Sequence, residues 1–139
     1  MERLETCPLC NKKLEIRTIV SELKYRGKTL SVQMSGEYCQ SCNEGFQNDE
    51  DLVLNENTIA LAKLKADVVI AEEIARIRKK LNLTQTEASE IFGGGIRAFH
   101  KYEKGIIHPP QTLVILFDLL DNNLTTLDNV RDSLSHKVA

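Results

Sequence analysis

Two short motifs constrain this 139-residue chain more than any other feature: Cys7-Pro8-Leu9-Cys10 and Cys39-Gln40-Ser41-Cys42. A two-residue gap lets both thiolates of a pair face one tetrahedral ion, and two such pairs form a closed set with no open coordination position. The pattern therefore predicts one structural Zn²⁺ per chain, held by Cys7, Cys10, Cys39 and Cys42. The 28 residues between the pairs exceed the common spacing of about 15 to 20, which predicts a β hairpin or small sheet inserted between the two knuckles. Asn11 and Asn43 follow the closing cysteines, where a knuckle turns through a left-handed backbone that Asn tolerates better than most residues. The alternatives are four unrelated thiols or a redox C-x-x-C at Cys7 and Cys10. Redox motifs sit at the end of a strand and open a helix, whereas only six residues precede Cys7 and strand-like sequence follows it.

Apolar residues alternate at Leu14, Ile16, Thr18, Val20 and again at Leu30, Val32, Met34, with Gly27 and Gly36 as punctuation, which reads as strands and a hairpin. Large apolar side chains are few in the first 65 residues or so, so metal ligation is expected to supply folding energy that the core lacks. Residues 48–57 are acidic and polar, and residues 58–67 are rich in Ala, Leu and Lys at helical spacing, a helical connector. Ile70, Ile74, Ile77 and Leu81 then line one face of a helix whose other face carries Arg76, Arg78, Lys79 and Lys80. Pro109 and Pro110 stop one element and open another. Leu113, Leu116, Phe117 and Leu120 form a further amphipathic helix, and Leu127, Val130 and Leu134 a last one with Thr125 or Thr126 as N-cap. The expected fold class is α+β: a β-rich four-cysteine module with its connector over residues 1–69, and an all-α domain over residues 70–139.

Between these helices, Leu83-Thr84-Gln85-Thr86-Glu87-Ala88-Ser89-Glu90-Ile91-Phe92 and Ile96-Arg97-Ala98-Phe99-His100-Lys101-Tyr102-Glu103-Lys104-Gly105 flank Gly93-Gly94-Gly95. Thr84 is a natural N-cap, and Glu87 three residues on completes a capping box. Ala88, Ile91 and Phe92 form the buried side of the first helix; Ile96, Phe99 and Tyr102 are expected to point inward from the second. Arg97, His100, Lys101 and Lys104 are left on an outward stripe suited to the major groove of double-stranded DNA. Gln85, Arg78 and Lys79 are placed to meet phosphates. Net charge is no guide, because the chain carries −2 overall and residues 70–139 hold 9 Lys+Arg against 9 Asp+Glu. Local clustering must do the work.

Leu83, Thr84, Gln85 and Glu103, Lys104, Gly105 resemble, at the right separation, the Leu-Thr-Gln and Glu-x-Gly strings of Xre/Cro-type helix-turn-helix proteins. Joined to the four cysteines, the run from Arg78-Lys79-Lys80-Leu81 to Lys104-Gly105 is similar to the MqsA (YgiT-type zinc-finger) antitoxin family over nearly the whole chain. The resemblance implies that the zinc module binds and neutralises a cognate toxin, typically an mRNA interferase, while helix-turn-helix domains form a homodimer and repress their own operon. The second helix departs from the family's, which carries Asn and Arg where Arg97 and Lys101 stand here.

Other readings are weaker. Gly93-Gly94-Gly95 with Ala98 satisfies G-x-G-x-x-A, but a helix rather than a strand precedes it, so no dinucleotide site is expected. His100, His108 and His136 are assigned no metal role, since four cysteines fill the preferred number for zinc. No residue is asked to do catalysis. No run of about 18 apolar residues and no signal core occurs, so the chain is expected to be cytoplasmic with no membrane partner. A stand-alone zinc-containing regulator without a toxin is the competing expectation.

Overall fold

The computed structural model describes residues 3–135, which divide into two compact units. The first ends at Tyr25 and resumes over Thr29–Leu64; the second takes in Arg26–Lys28 and runs on from Lys65. The class is α+β, with strands at the amino-terminal end and helices beyond.

A three-stranded sheet of order β1-β2-β3 carries the first unit: β1 Leu14–Tyr25, β2 Lys28–Cys39 and the short β3 Gly45–Phe46. The β1–β2 turn falls at Arg26 and Gly27, both at positive φ (47° and 83°), the conformation whose twist matches a two-residue hairpin. Thr18 and Ser35 hydroxyls meet across the strands at 3.2 Å, and Lys24 donates to Thr29. The alternation marks the strands, yet the β1 stripe is covered only at its start: Leu14 is buried, as is Val32 of β2, whereas Ile16 and Val20 are each 68% exposed. β3 pairs antiparallel with β2 through Glu37 opposite Phe46 and Tyr38 opposite Gly45.

One helix, α1 Asp49–Lys80, replaces the polar segment, connector and separate helix expected over residues 48–81. Asn48 caps it: its carboxamide accepts from the Asp51 N–H at 2.8 Å, and the Asp51 carboxylate accepts from the Asn48 N–H at 3.4 Å. Asp49, Glu50 and Asp51 thus occupy the first turn, where negative charge is favourable. At the other end Leu83 N–H donates to Arg78 O and Asn82 N–H to Lys79 O, with Asn82 at φ 58°. This left-handed stop satisfies two carbonyls that the helix leaves open.

Little of the first unit's interior is hydrocarbon. Its apolar cluster is Cys7, Leu14 and Cys39, with Cys10, Cys42 and Phe46 packed against it. Glu37, Asn48, Asp51 and Asn55 are buried as well, each with partners. The Arg3 guanidinium donates to both Asp51 oxygens at 3.1 Å, Leu4 N–H donates to Glu37, and Asn55 exchanges two hydrogen bonds with the Ser35 backbone. An interior this polar gains little from burial.

The second unit has a conventional core. Ile70, Ile74 and Ile77 of α1 pack with Leu83 of the following turn and with Ala88, Phe99, Tyr102, Leu113, Phe117 and Leu120 from α2 (Gln85–Phe92), α3 (Ala98–Glu103) and α4 (Gln111–Asp121). Phe99 lies 5.9 Å from Phe117 and 5.5 Å from Tyr102, ring centre to ring centre. In α5, Leu127–Leu134, the Thr126 side chain caps the helix by accepting from Asn129 N–H. Leu127 and Val130 pack against this same core, which leaves Leu134 of the expected stripe exposed. Among the described residues no helix is long and apolar enough to cross a membrane.

Candidate functional site

The four cysteine sulfurs lie within 4.8 Å of one another. Cys7 Sγ is 3.5 Å from Cys42 Sγ, and Cys10 Sγ is 3.4 Å from Cys39 Sγ. Thiolates about 2.3 Å from a tetrahedral Zn²⁺ stand a little under 4 Å apart, so the cluster fits a metal ion closely. The two knuckles repeat one geometry. Asn11 N–H donates to Cys7 O and Asn43 N–H to Cys39 O, and both asparagines take the expected left-handed conformation (φ 59° and 58°). Backbone N–H donation from Cys42 pulls the Cys39 thiol down to about 6, outweighing burial, with help from the Cys10 and Cys42 side chains and the Ser41 amide. At Cys42 the Glu44 amide favours the thiolate, but burial and the neighbouring sulfurs dominate and push this thiol up to about 12. Four sulfurs packed this closely resist ionising together without a cation between them.

The second candidate surface lies on α2, α3 and the turn between them. The predicted capping box is present: Glu87 N–H donates to Thr84 Oγ1, and Glu87 accepts from the Thr84 N–H. Gly93, Gly94 and Gly95 all take positive φ. This turn runs further than the sequence suggests, so α3 starts at Ala98, Arg97 becomes its N-cap, and Ile96 stays outside it. Ile96 was expected inside but is 82% exposed, because the longer turn takes it out of phase with Phe99 and Tyr102. Arg97, Lys101 and Lys104 are exposed, while His100 is half-buried. Lys101 N–H donates to Arg97 O at 3.2 Å, so these two residues sit one turn apart. Among the described residues, Lys79, Arg97, Lys101 and Lys104 make no ion pair.

Two of the expected phosphate contacts are engaged internally. Arg78 grips Glu103 with Nε at 3.1 and 3.2 Å and Nη2 at 2.8 Å, and its Nη1 donates to Leu83 O at 2.7 Å. The side chains are only 11% and 8% exposed. Gln85 Nε2 donates to the second Glu103 oxygen at 2.9 Å. Glu103 thus ties the end of α1 and the start of α2 to the end of α3, a role that sequence reasoning did not assign it. The signal available in the sequence was an acid between the core residue Tyr102 and Lys104-Gly105. Arg76 and Lys80, also on the basic face of α1, both pair with Asp121 and hold its carboxyl well below the usual range, Arg76 foremost.

The profile of a family described as the antitoxin component of bacterial toxin-antitoxin system, MqsA, matches residues 5–131. Antitoxin MqsA of Escherichia coli (strain K12) is 38% identical over 130 residues, which cover 90% of this chain and 98% of that protein.

Proposed function

The chain belongs to the MqsA antitoxin family, and from that membership we propose that it is the antitoxin of a type II toxin-antitoxin pair that also represses its own operon. The observation that carries the reading is the span of the match, residues 5–131, which runs through both units rather than one. In this reading the four-cysteine unit holds and neutralises a toxin, an mRNA interferase, and no residue of the chain performs catalysis. Cys7, Cys10, Cys39 and Cys42 would hold Zn²⁺, whose contribution is to cross-link a unit with little hydrocarbon core.

The helices α2 and α3 act as a helix-turn-helix on double-stranded DNA. Arg97 and Lys101 read base edges from one face of α3, with His100 and Lys104 beside them, and Lys79 meets phosphate. Arg78 and Gln85 serve the contact through Glu103, which fixes α3 against the supporting helix. One such helix buries too little for tight specific binding, so the repressor works as a homodimer on a two-fold operator. Of the stripe Leu127, Val130 and Leu134 expected to hold the dimer, Leu127 and Val130 pack on the core and Leu134 is 59% exposed. The dimer contact after Pro110 would therefore use Leu134 with further exposed residues such as Leu124, at 75%.

Co-expression tests the antitoxin reading. The product of the neighbouring gene should arrest growth when expressed alone, and this chain should restore growth. Unrelieved arrest would overturn the proposal.

A further inference from the structure

At 82% exposure, Ile96 stands more fully in solvent than any other large aliphatic side chain among the described residues. The backbone fixes its place. The Ala98 N–H donates to Gly95 O at 3.1 Å, and Arg97 takes φ −107° and ψ 13°, close to the second corner of a type I turn. Ile96 and Arg97 thus occupy the two corners of a tight turn that leads directly into α3. The glycine segment before it is open, since a Cβ added at Gly93 or Gly95 would meet no atom within 4 Å. Lys101 follows Arg97 by one helical turn, and neither cation makes an ion pair among the described residues. A single exposed aliphatic is ordinary; one set beside unpaired cations at the head of α3 lies on the surface that the helix-turn-helix reading turns toward bases.

We propose that Ile96 is a specificity-determining residue of the DNA contact, packing on the 5-methyl group of a thymine beside the base pair that Arg97 reads. The inference rests on the reading of α2 and α3 as a helix-turn-helix, and adds a base that the cationic stripe has no means to read. The neighbours of Ile96 select what covers it. A surface that covers Ile96 also covers Arg97, and a protein surface would have to supply counter-charges for Arg97 and Lys101 or strand them. DNA supplies phosphates along both edges of the groove. Within the major groove, thymine is the one unmodified base that shows an apolar group; the other base edges present donors and acceptors that an isoleucine leaves without partners. The amino-terminal residues of a recognition helix are those that meet base edges, and Ile96 immediately precedes the N-cap Arg97. Ile106, the next most exposed isoleucine of this unit at 64%, lies beyond the other end of α3.

The test titrates the full chain, by fluorescence anisotropy, with duplexes tiling the DNA immediately upstream of its own gene. The tile bound most tightly is prepared again with deoxyuridine in place of thymidine, which removes every 5-methyl group and keeps the base pairing. Wild type should bind the uracil form about 4-fold more weakly for each methyl in contact, the factor for one buried methyl-sized group. Over the two half-sites of a dimer that becomes about 15-fold. Ile96→Ala should lose a similar factor on the thymine form and bind the two forms within about 2-fold of each other, as uncoupled changes do. It should melt as wild type does, because the side chain it shortens is exposed. Equal wild-type affinity for the two forms overturns the inference and leaves the DNA reading standing. So does an equal uracil loss in wild type and Ile96→Ala, since the methyl groups would then be sensed by another residue or through DNA shape. A dimer weakened by Ile96→Ala, with the thymine-to-uracil ratio unchanged, would place Ile96 between protomers and also overturns it. If wild type binds no tile, the operator-binding reading falls and this inference with it.

Discussion

Glu103→Ala is predicted to be the most damaging single change in the helical unit outside its apolar core. In the wild type the Glu103 carboxylate takes three hydrogen bonds from Arg78 and one from Gln85, with the ion pair largely shielded from water. Removing it leaves a guanidinium held only by Leu83 O and without a counter-charge, a loss of about 3–5 kcal/mol for a buried pair broken on one side. A domain of this kind has only about 5–15 kcal/mol in all. Replacing both partners, as in Arg78→Met with Glu103→Leu, removes the stranded charge and should return stability to within about 1–2 kcal/mol of wild type. The assay is urea unfolding of the zinc-loaded chain followed by helical circular dichroism, with both single variants and the double variant closing a cycle. A Glu103→Ala loss below about 1 kcal/mol, the level of an exposed pair, would refute the burial argument. Additive single losses would refute the claim that the two residues act as one unit.

Cys39→Ser should abolish stoichiometric zinc binding and unfold the first unit while leaving the helical unit structured, since it forfeits much of a ligation energy of order 10 kcal/mol; metal analysis and amide NMR spectra check this. Gly94→Ala should cost about 2–5 kcal/mol in thermal or urea unfolding, from positive-φ strain and overpacking, because φ is 97° and a Cβ would sit 2.8 Å from Tyr102 Oη and 2.9 Å from Ala98 Cβ. Gly95→Ala, where φ is 95° with nothing within 4 Å, should cost only the strain, about 1–3 kcal/mol. Arg97→Ala should lose about 1–3 kcal/mol on the cognate operator and little on scrambled duplex, whereas Lys79→Ala should weaken both and lower the salt slope by about one; equal losses on both duplexes for Arg97→Ala would make that residue a phosphate anchor.

What the sequence discloses depends on whether the determinant is local. The knuckle asparagines, the Thr84 capping box and the glycine turn are each set by neighbours a few residues away, and all are present as expected. Phe99 and Tyr102 are buried for the same reason, since 3.6-residue periodicity fixes their side of α3. Ile96 escaped because the helix start shifted by the length of the turn, and periodicity has no phase until the start is known. The acidic, polar run at residues 48–57 shows no apolar periodicity, and it is Asn48, as a cap on Asp51, that makes residues 49–51 a helix start. Arg78 and Gln85 are harder still. Their partner Glu103 is 25 residues from Arg78 in the chain, and only packing of the helices brings the carboxylate between them. The open faces of β1 and α1 show the limit in another way: apolar alternation or periodicity marks an element without saying which of its sides a domain will cover.

In the proposed function, one chain of the MqsA antitoxin family would hold both a toxin and, through its four clustered cysteines, a metal ion. Native mass spectrometry of this chain, co-expressed with the product of the neighbouring gene and purified without added metal, tests both parts in one spectrum. The account predicts a complex of the two proteins carrying one zinc for each antitoxin chain. A chain that flies alone, or a complex in which the four thiols carry no metal, would contradict it.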